Sequence, residues 1–250
     1  MSVKQTLSIG FFISIISCVP VWQYVFHQNF SVFPLGWMAV CLNYMSTFFH
    51  ELGHTLAAWY YGYATIPMFD FKHGGGLAWS FGDQNYLILA FVWGGLAYGI
   101  YNLGQFRWLQ ITLIGLLVFN LLTFWNEDLY RSVIDFMGPG AEPIIASFFL
   151  FRAIFDLAPR GNTERYLNAI FGFGFILRGL IDAFGLLSND VHRMIYYSQK
   201  GQHGFGDFDK ISMRLDFDFG SVVGFWIFEL LACLTIPFLF MHFYRSYLRD

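Results

Sequence analysis

The residues most capable of chemistry are His50, Glu51 and His54, which form an H-E-x-x-H sequence inside a long apolar stretch. Residues four apart on an α-helix lie on one face, so both imidazoles can bind one metal ion. The intervening carboxylate can then take a proton from a water molecule beside that ion. The pattern predicts a zinc site with His50 and His54 as ligands and Glu51 as catalytic base. The alternative is a structural pair of histidines bonded to neighbouring carbonyl groups.

The composition indicates that this motif belongs to a membrane protein. Of the 250 residues, 56% are hydrophobic, 22% are aromatic and 12% are charged, whereas soluble proteins average about a quarter charged residues. We predict an all-α, polytopic transmembrane helix bundle with about seven spans, each near the length needed to cross a bilayer. The predicted spans are 7–26, 33–61, 86–103, 108–125, 143–157, 166–187 and 220–244.

We expect one integral membrane domain over residues 1–250, because the longest polar stretches, 62–85 and 188–219, are too short for a soluble domain. The expected location is a multi-pass position in the lipid bilayer, with a bacterial inner or plasma membrane favoured. The net charge of −3 gives no support for nucleic-acid binding, since such proteins present basic patches.

A catalytic zinc ion usually has three protein ligands, so the two histidines require another residue. Asp128 follows the fourth predicted span, which runs parallel to the second, and is therefore expected at the level of the histidines. Asp182 lies in another parallel span and is a rival ligand. Glu229 is a further candidate, because an unpaired carboxylate within a span is costly.

Asn120 and Asp128 stand eight residues apart, and with H-E-x-x-H they make the chain resemble the site-2 protease family of intramembrane zinc metalloproteases. That family combines H-E-x-x-H with a later segment close to N-x-x-P-x-P-x-x-D-G. Here Thr123 and Trp125 stand where prolines are usual, and Leu129 replaces the glycine.

Two glycine-containing segments add to the resemblance. Gly74, Gly75 and Gly76 follow the motif helix, where relatives have a strand or hairpin thought to meet the substrate. The sequence Gly94-Gly95-Leu96-Ala97 is similar to a small-residue motif of the family. The resemblance covers approximately residues 33–131 and implies a three-helix catalytic core there, with additional transmembrane helices within 1–32 and 141–250.

The resemblance implies an intramembrane zinc endopeptidase that hydrolyses peptide bonds within or near transmembrane segments of membrane proteins, as in regulated intramembrane proteolysis. Zn²⁺ is then held by His50, His54 and Asp128. Asn120 either binds the substrate backbone or oxyanion, or makes an interhelical polar contact. A separate regulatory or adaptor protein is a further expected partner. The alternatives are a catalytically inactive relative that binds transmembrane partners and a metal-binding transporter.

Other polar residues receive structural interpretations. Arg152/Asp156 and Arg178/Asp182 are spaced i, i+4, so each pair is expected to neutralise itself on one helix face. Asn43, seven residues before His50, is expected to make a packing contact or to support the site. Residues 215–219 alternate apolar and acidic side chains, with Asp207 and Asp209 nearby. Cation binding is one interpretation of these acidic residues, but the spacing of a calcium loop is missing, so an interfacial loop is preferred.

Overall fold

The computed structural model describes residues 2–26, 36–70, 75–198 and 205–247. Within these ranges the chain forms nine α-helices and one antiparallel β-hairpin. In chain order the elements are α1 (Val3–Val25), α2 (Gly36–Tyr60), β1 (Thr65–Asp70), β2 (Gly75–Ser80), α3 (Tyr86–Asn102), α4 (Arg107–Thr123), α5 (Glu127–Ile154), α6 (Asn162–Ser188), α7 (Asp190–Ser198), α8 (Asp207–Leu215) and α9 (Phe219–Tyr247). The predicted all-α class is confirmed, with the hairpin as an addition.

Within the described ranges, four helices are long and apolar enough to cross a membrane, which indicates a membrane protein. They are α1, α5, α6 and α9, and each overlaps one of the seven predicted spans. The remaining three predictions also fall on helices, namely α2, α3 and α4. However, α3 and α4 have only 17 residues each, which corresponds to about 26 Å of helix.

Small residues let the long helices approach one another closely. A β-carbon at Gly172 of α6 would press on Leu150 of α5, and one at Gly179 would press on Leu230 of α9. Gly10 of α1 likewise lies against α6. Interfaces of this kind suit a membrane, where helices associate by close van der Waals packing rather than by escape from water.

Helices α2 and α5 also approach each other closely. A β-carbon added to Gly53 would overlap with the carbonyl oxygen of Met137 and would lie 2.5 Å from the β-carbon of Ala141. Glycine is therefore required at this position of α2. The contact brings the motif face of α2 directly against the middle of α5.

Helix α5 begins at Glu127, so the span predicted to begin at residue 143 starts 16 residues earlier. The helix continues through Pro139 and Pro143. Pro143 has no N–H to bond the carbonyl of Pro139 four residues before it. The indole N–H of Trp226 in α9 donates to that carbonyl at 3.0 Å, and this bond compensates for the missing partner.

The hairpin lies along α2. The indole N–H of Trp59 donates to the carbonyl of Thr65 at 2.6 Å, and the ring of Phe48 stacks on that of Phe69 at 5.3 Å. β1 therefore runs back along the helix, past the level of the motif. In β2, Gly76 pairs with Phe69 and continues this cover over α2.

Candidate metal centre

Three ligand atoms from distant parts of the chain converge in the bundle. The Nε2 atoms of His50 and His54 are 3.2 Å apart. One carboxylate oxygen of Asp207, Oδ2, lies 3.2 Å from Nε2 of His50 and 3.5 Å from Nε2 of His54. Among the described residues this is the group of histidine, cysteine and acidic side chains that can hold a metal ion. The two predicted histidine ligands thus meet, with Asp207 as their partner.

The second ring nitrogen of each histidine fixes which nitrogen carries the proton. Nδ1 of His50 lies 3.1 Å from Oε1 of Glu142, and Nδ1 of His54 lies 2.7 Å from the carbonyl oxygen of Ile134. A carboxylate and a carbonyl only accept hydrogen bonds, so each Nδ1 is assigned the proton. Both Nε2 atoms then direct lone pairs towards Asp207.

This geometry fits a zinc ion. The two Nε2 atoms and Oδ2 of Asp207 all carry lone pairs, so they repel one another unless a cation lies between them. A single proton could bridge only two of the three atoms. Imidazole nitrogen and carboxylate oxygen are ordinary zinc ligands, and ligands at about 2.0–2.1 Å in a tetrahedron are themselves about 3.3 Å apart. The observed separations of 3.2 to 3.5 Å agree with that spacing.

Gly138 of α5 makes room for the site. A β-carbon there would overlap with the imidazole of His54 and would lie 2.8 Å from Nε2 of His50. Any side chain at this position would therefore enter the space between the two rings. The close packing of α5 on α2 consequently leaves a cradle of the size that the two imidazoles require.

Helix α8 supplies Asp207 in its first turn. The N–H of Gly206 donates to Oδ2 of Asp209 at 3.0 Å, and the backbone N–H of Phe208 donates to the hydroxyl of Tyr196. Burial, followed by the charges of Asp207 and Asp209, raises the pKa of Tyr196, so its hydroxyl remains protonated. These contacts fix the start of the helix and thereby the position of Asp207.

Ion pairs fix the other oxygen of Asp207. Nζ of Lys210 lies 3.1 Å from Oδ1 of Asp207 and 3.7 Å from Asp135 of α5, which also pairs with Arg214. Burial lowers the pKa of Lys210, but the two carboxylates outweigh burial, so its pKa lies above the usual value. Lys210 thus stays charged, and α8 is held to α5 with Oδ2 facing the histidines.

Glu51 is buried beside the hairpin, with 7% of its surface exposed. A β-carbon at Gly76 of β2 would overlap with the side chain of Glu51, and it would lie 2.7 Å from Oε1. The predicted base and one of the predicted substrate-binding glycines are therefore in contact. Gly75 begins β2 and has open space around it, while Gly74 lies outside the described residues.

Asp128 does not join the histidines, contrary to the prediction. It is exposed in the first turn of α5, where a negative charge interacts favourably with the helix N-terminus. His54 contacts α5 at Ile134 and Gly138, which lie about 9 and 15 Å further along the helix by its rise per residue. Asp207, rather than Asp128, lies beside the two histidines.

The two rival carboxylates also lie elsewhere. Asp182 pairs with Nε2 of His192 at 2.8 Å. Glu229 lies opposite Gly140 of α5, and its Oε2 has no hydrogen-bond partner among the described residues. Neither belongs to the group around His50.

Asn120 makes the interhelical contact that was one of its two interpretations. Its amide donates to the carbonyl of Tyr60 at 2.7 Å, and its Oδ1 accepts from the indole N–H of Trp93 at 2.8 Å. The side chain is fully buried. It joins α4 to the end of α2 and to α3, so its polar groups are already used within the fold.

The two i, i+4 pairs do not form as predicted. Arg178 pairs with Glu142 at 3.0 Å, and Arg152 pairs with Glu164. Asp156 instead contacts Arg165 at 3.3 Å. Arg178 and Asp182 share α6, whereas Asp156 lies beyond the end of α5 with a φ of 57°. Each of these charged residues pairs with a residue of another element.

Removal of individual ligands tests the composition of the site. We expect purified wild-type protein to contain about one zinc ion per chain, and His54→Ala or Asp207→Ala to lower zinc affinity by more than about 100-fold. Asp128→Ala is the matched control and should retain wild-type zinc. Elemental analysis and chelator competition measure both quantities. Loss of zinc with Asp128→Ala but not with Asp207→Ala would contradict the structure.

Gly138→Ala tests the cradle between the helices. The added methyl group pushes the imidazole of His54 from its place, so zinc affinity should fall by about tenfold or more. Gly140→Ala is the control on the same helix, because its β-carbon would meet the rings of Phe136 and the carboxylate of Glu229 rather than the histidines. Equal zinc affinity in both variants, measured by chelator competition, would argue against the cradle.

No protein-family model matches this chain, and no curated protein or solved structure matches it. The site-2 protease resemblance therefore remains a prediction from the motif and the spacing of Asn120 and Asp128. The interpretation of the site depends on the geometry of His50, His54 and Asp207 and on the neighbouring carboxylate of Glu51.

Proposed function

We propose that the protein is an intramembrane zinc endopeptidase. The observation that carries the proposal is the convergence of His50, His54 and Asp207, with Glu51 directly after His50 in the chain and in contact with β2. A metal site alone suits transport or structural binding. A carboxylate base within the motif, beside an exposed strand, favours hydrolysis of a peptide.

The roles of the side chains follow from their positions. His50, His54 and Asp207 would hold Zn²⁺, which when bound polarises a substrate carbonyl and acidifies water. The Glu51 carboxylate accepts a proton from the attacking water and passes it to the leaving amine. Its burial excludes bulk water from around the transferred proton and thereby strengthens its electrostatic interactions with the reacting groups.

Strand β2 provides a place for the substrate. It pairs with β1 on one edge, and its other edge has no strand partner within the described ranges. A transmembrane substrate must unwind before cleavage, because helical hydrogen bonds occupy its backbone groups. The free edge of β2 can bind such an extended segment by backbone hydrogen bonds, close to Glu51.

The proposal includes a multi-pass arrangement with α2 as a further span. At 25 residues, this helix is about 37 Å long, which exceeds the hydrocarbon thickness of about 30 Å. Its polar residues Asn43, Ser46 and His50 have partners inside the bundle, as intramembrane polar groups require. The shorter α3 and α4 expose apolar side chains on most sides and complete seven spans where the bilayer is locally thin.

Cleavage of a transmembrane reporter tests the enzymatic role. Glu51→Gln removes the proton acceptor but leaves all three metal ligands, so we expect a decrease in cleavage of about 10²–10⁴-fold with unchanged zinc content. Purified protein in detergent or liposomes, assayed by gel and mass spectrometry, gives both values. Cleavage by Glu51→Gln at the wild-type rate would overturn the proposal. Bound zinc with no cleavage of any reporter would favour the inactive, partner-binding alternative.

Adjacent glycines test the contact between β2 and the base. The β-carbon of Gly76→Ala displaces the side chain of Glu51, and a misplacement of about 1 Å can lower the cleavage rate by roughly 10²-fold. Gly75→Ala enters open space and should cleave at nearly the wild-type rate. Zinc content should stay constant in both. Equal cleavage rates for the two variants would show that catalysis does not depend on the contact between β2 and Glu51.

A further inference from the structure

A buried chain of polar side chains extends from His50 away from the metal-binding face. Oε1 of Glu142 lies 3.1 Å from Nδ1 of His50, and Oε2 lies 3.0 Å from Nη1 of Arg178. Only 4% of Glu142 is exposed. The carboxylate thus divides its two oxygens between a proposed metal ligand and a cation on another helix.

Two residues of α2 complete this arrangement. The hydroxyl of Ser46 donates to Oε2 of Glu142 and accepts from Nη1 of Arg178 at 2.6 Å. The second guanidinium nitrogen, Nη2, donates to Oδ1 of Asn43 at 3.0 Å. Helices α2, α5 and α6 therefore meet in one hydrogen-bonded network, and the orientation of Glu142 is fixed from two sides.

The backbone of α5 directs Glu142 at His50. Gly138 and Glu142 are four residues apart and lie on the same helix face. Gly138 leaves space for the two imidazoles, while Glu142, one turn further on, contacts Nδ1 of His50. The same face of α5 therefore makes room for both rings and orients one of them.

Stability alone does not account for this network. A buried ion pair contributes little net stability, because the cost of removing both charges from water offsets their attraction. By contrast, a carboxylate that accepts a hydrogen bond from the ring nitrogen not bound to the metal determines which nitrogen of the histidine carries the proton. It also fixes the orientation of the ring. We therefore attribute the Arg178–Glu142 pair to the orientation of His50 rather than to stability.

We propose that Glu142 is a positioning residue for the metal centre, with Oε1 holding the ring of His50 while Arg178 and Ser46 fix Oε2. This inference rests on the proposed function, since it concerns a ligand of the proposed zinc site. Glu142 acts through His50 and does not itself contact the metal or the substrate. Loss of its acceptor oxygen should lower zinc affinity by about 10–100-fold.

The test separates positioning from packing by removing both charges together. In Glu142→Leu/Arg178→Leu no buried charge is left unpaired, so thermal stability in detergent should be retained. Zinc affinity by chelator competition should nevertheless fall by about 10–100-fold. In Glu142→Gln/Arg178→Leu the amide oxygen again accepts from Nδ1 of His50, and most of the affinity should return. Glu164→Gln is the control, since Glu164 also joins α5 to α6 through Arg152 but has no contact with His50.

Wild-type zinc affinity in Glu142→Leu/Arg178→Leu would overturn the inference. If that variant does not fold, Co²⁺ absorption spectra of Glu142→Gln/Arg178→Leu provide the test, because replacing the carboxylate by an amide changes the donor strength of His50. A Co²⁺ spectrum identical to that of wild type would then overturn the inference. Absence of zinc or cobalt binding by wild-type protein would instead contradict the proposed function, so the two failures are distinguishable.

Discussion

Helices α2 and α5 approach so closely that neither Gly53 nor Gly138 has space for a β-carbon. This contact determines which groups of α5 the histidines can reach. With the backbones this near, Nδ1 of His54 bonds the carbonyl of Ile134, and Nδ1 of His50 bonds Glu142. If the two helices were further apart, both hydrogen-bond acceptors would be out of reach of the Nδ1 atoms. The Nε2 atoms of His50 and His54 would then no longer be held in a common direction. The candidate metal centre therefore depends on the lack of a side chain at Gly53 and Gly138 as much as on its proposed ligands.

The prolines of α5 connect the same helix to the opposite side of the bundle. Pro143 leaves the carbonyl of Pro139 without its helical hydrogen-bond partner. In an apolar medium an unpaired carbonyl destabilises the fold by roughly several kcal/mol. Trp226 of α9 satisfies it, and its ring packs on Phe208 of α8 at 5.1 Å. Phe208 follows Asp207 directly. The irregularity of α5 is thus compensated by a residue that also supports the helix carrying the third ligand.

The histidine pair was predictable because its geometry is local: two residues four apart on one helix share a face in any fold. Asp207 was not, since it is 157 residues from His50, and only tertiary packing brings α8 to the motif. The choice of Asp128 rests on expected membrane depth, which Asp182 shares, and on its spacing from Asn120, but neither criterion specifies which helices touch. Spacing also failed for Arg178, whose partner Glu142 lies on a different helix. The overall helical class followed from composition, which depends on no particular contact.

The positions of the three proposed ligands bear on how water could reach the centre for the proposed hydrolysis. The histidines come from a long helix, whereas Asp207 comes from α8, a nine-residue helix too short to cross a membrane. Lys210 and Arg214 of α8 join Asp135 through ion pairs that are partly exposed, so this side of the centre has a polar border. Hydrolysis needs water, which hydrocarbon excludes. A site between the long helix α2 and a short charged helix keeps its ligands within the bundle while water can approach along the polar side.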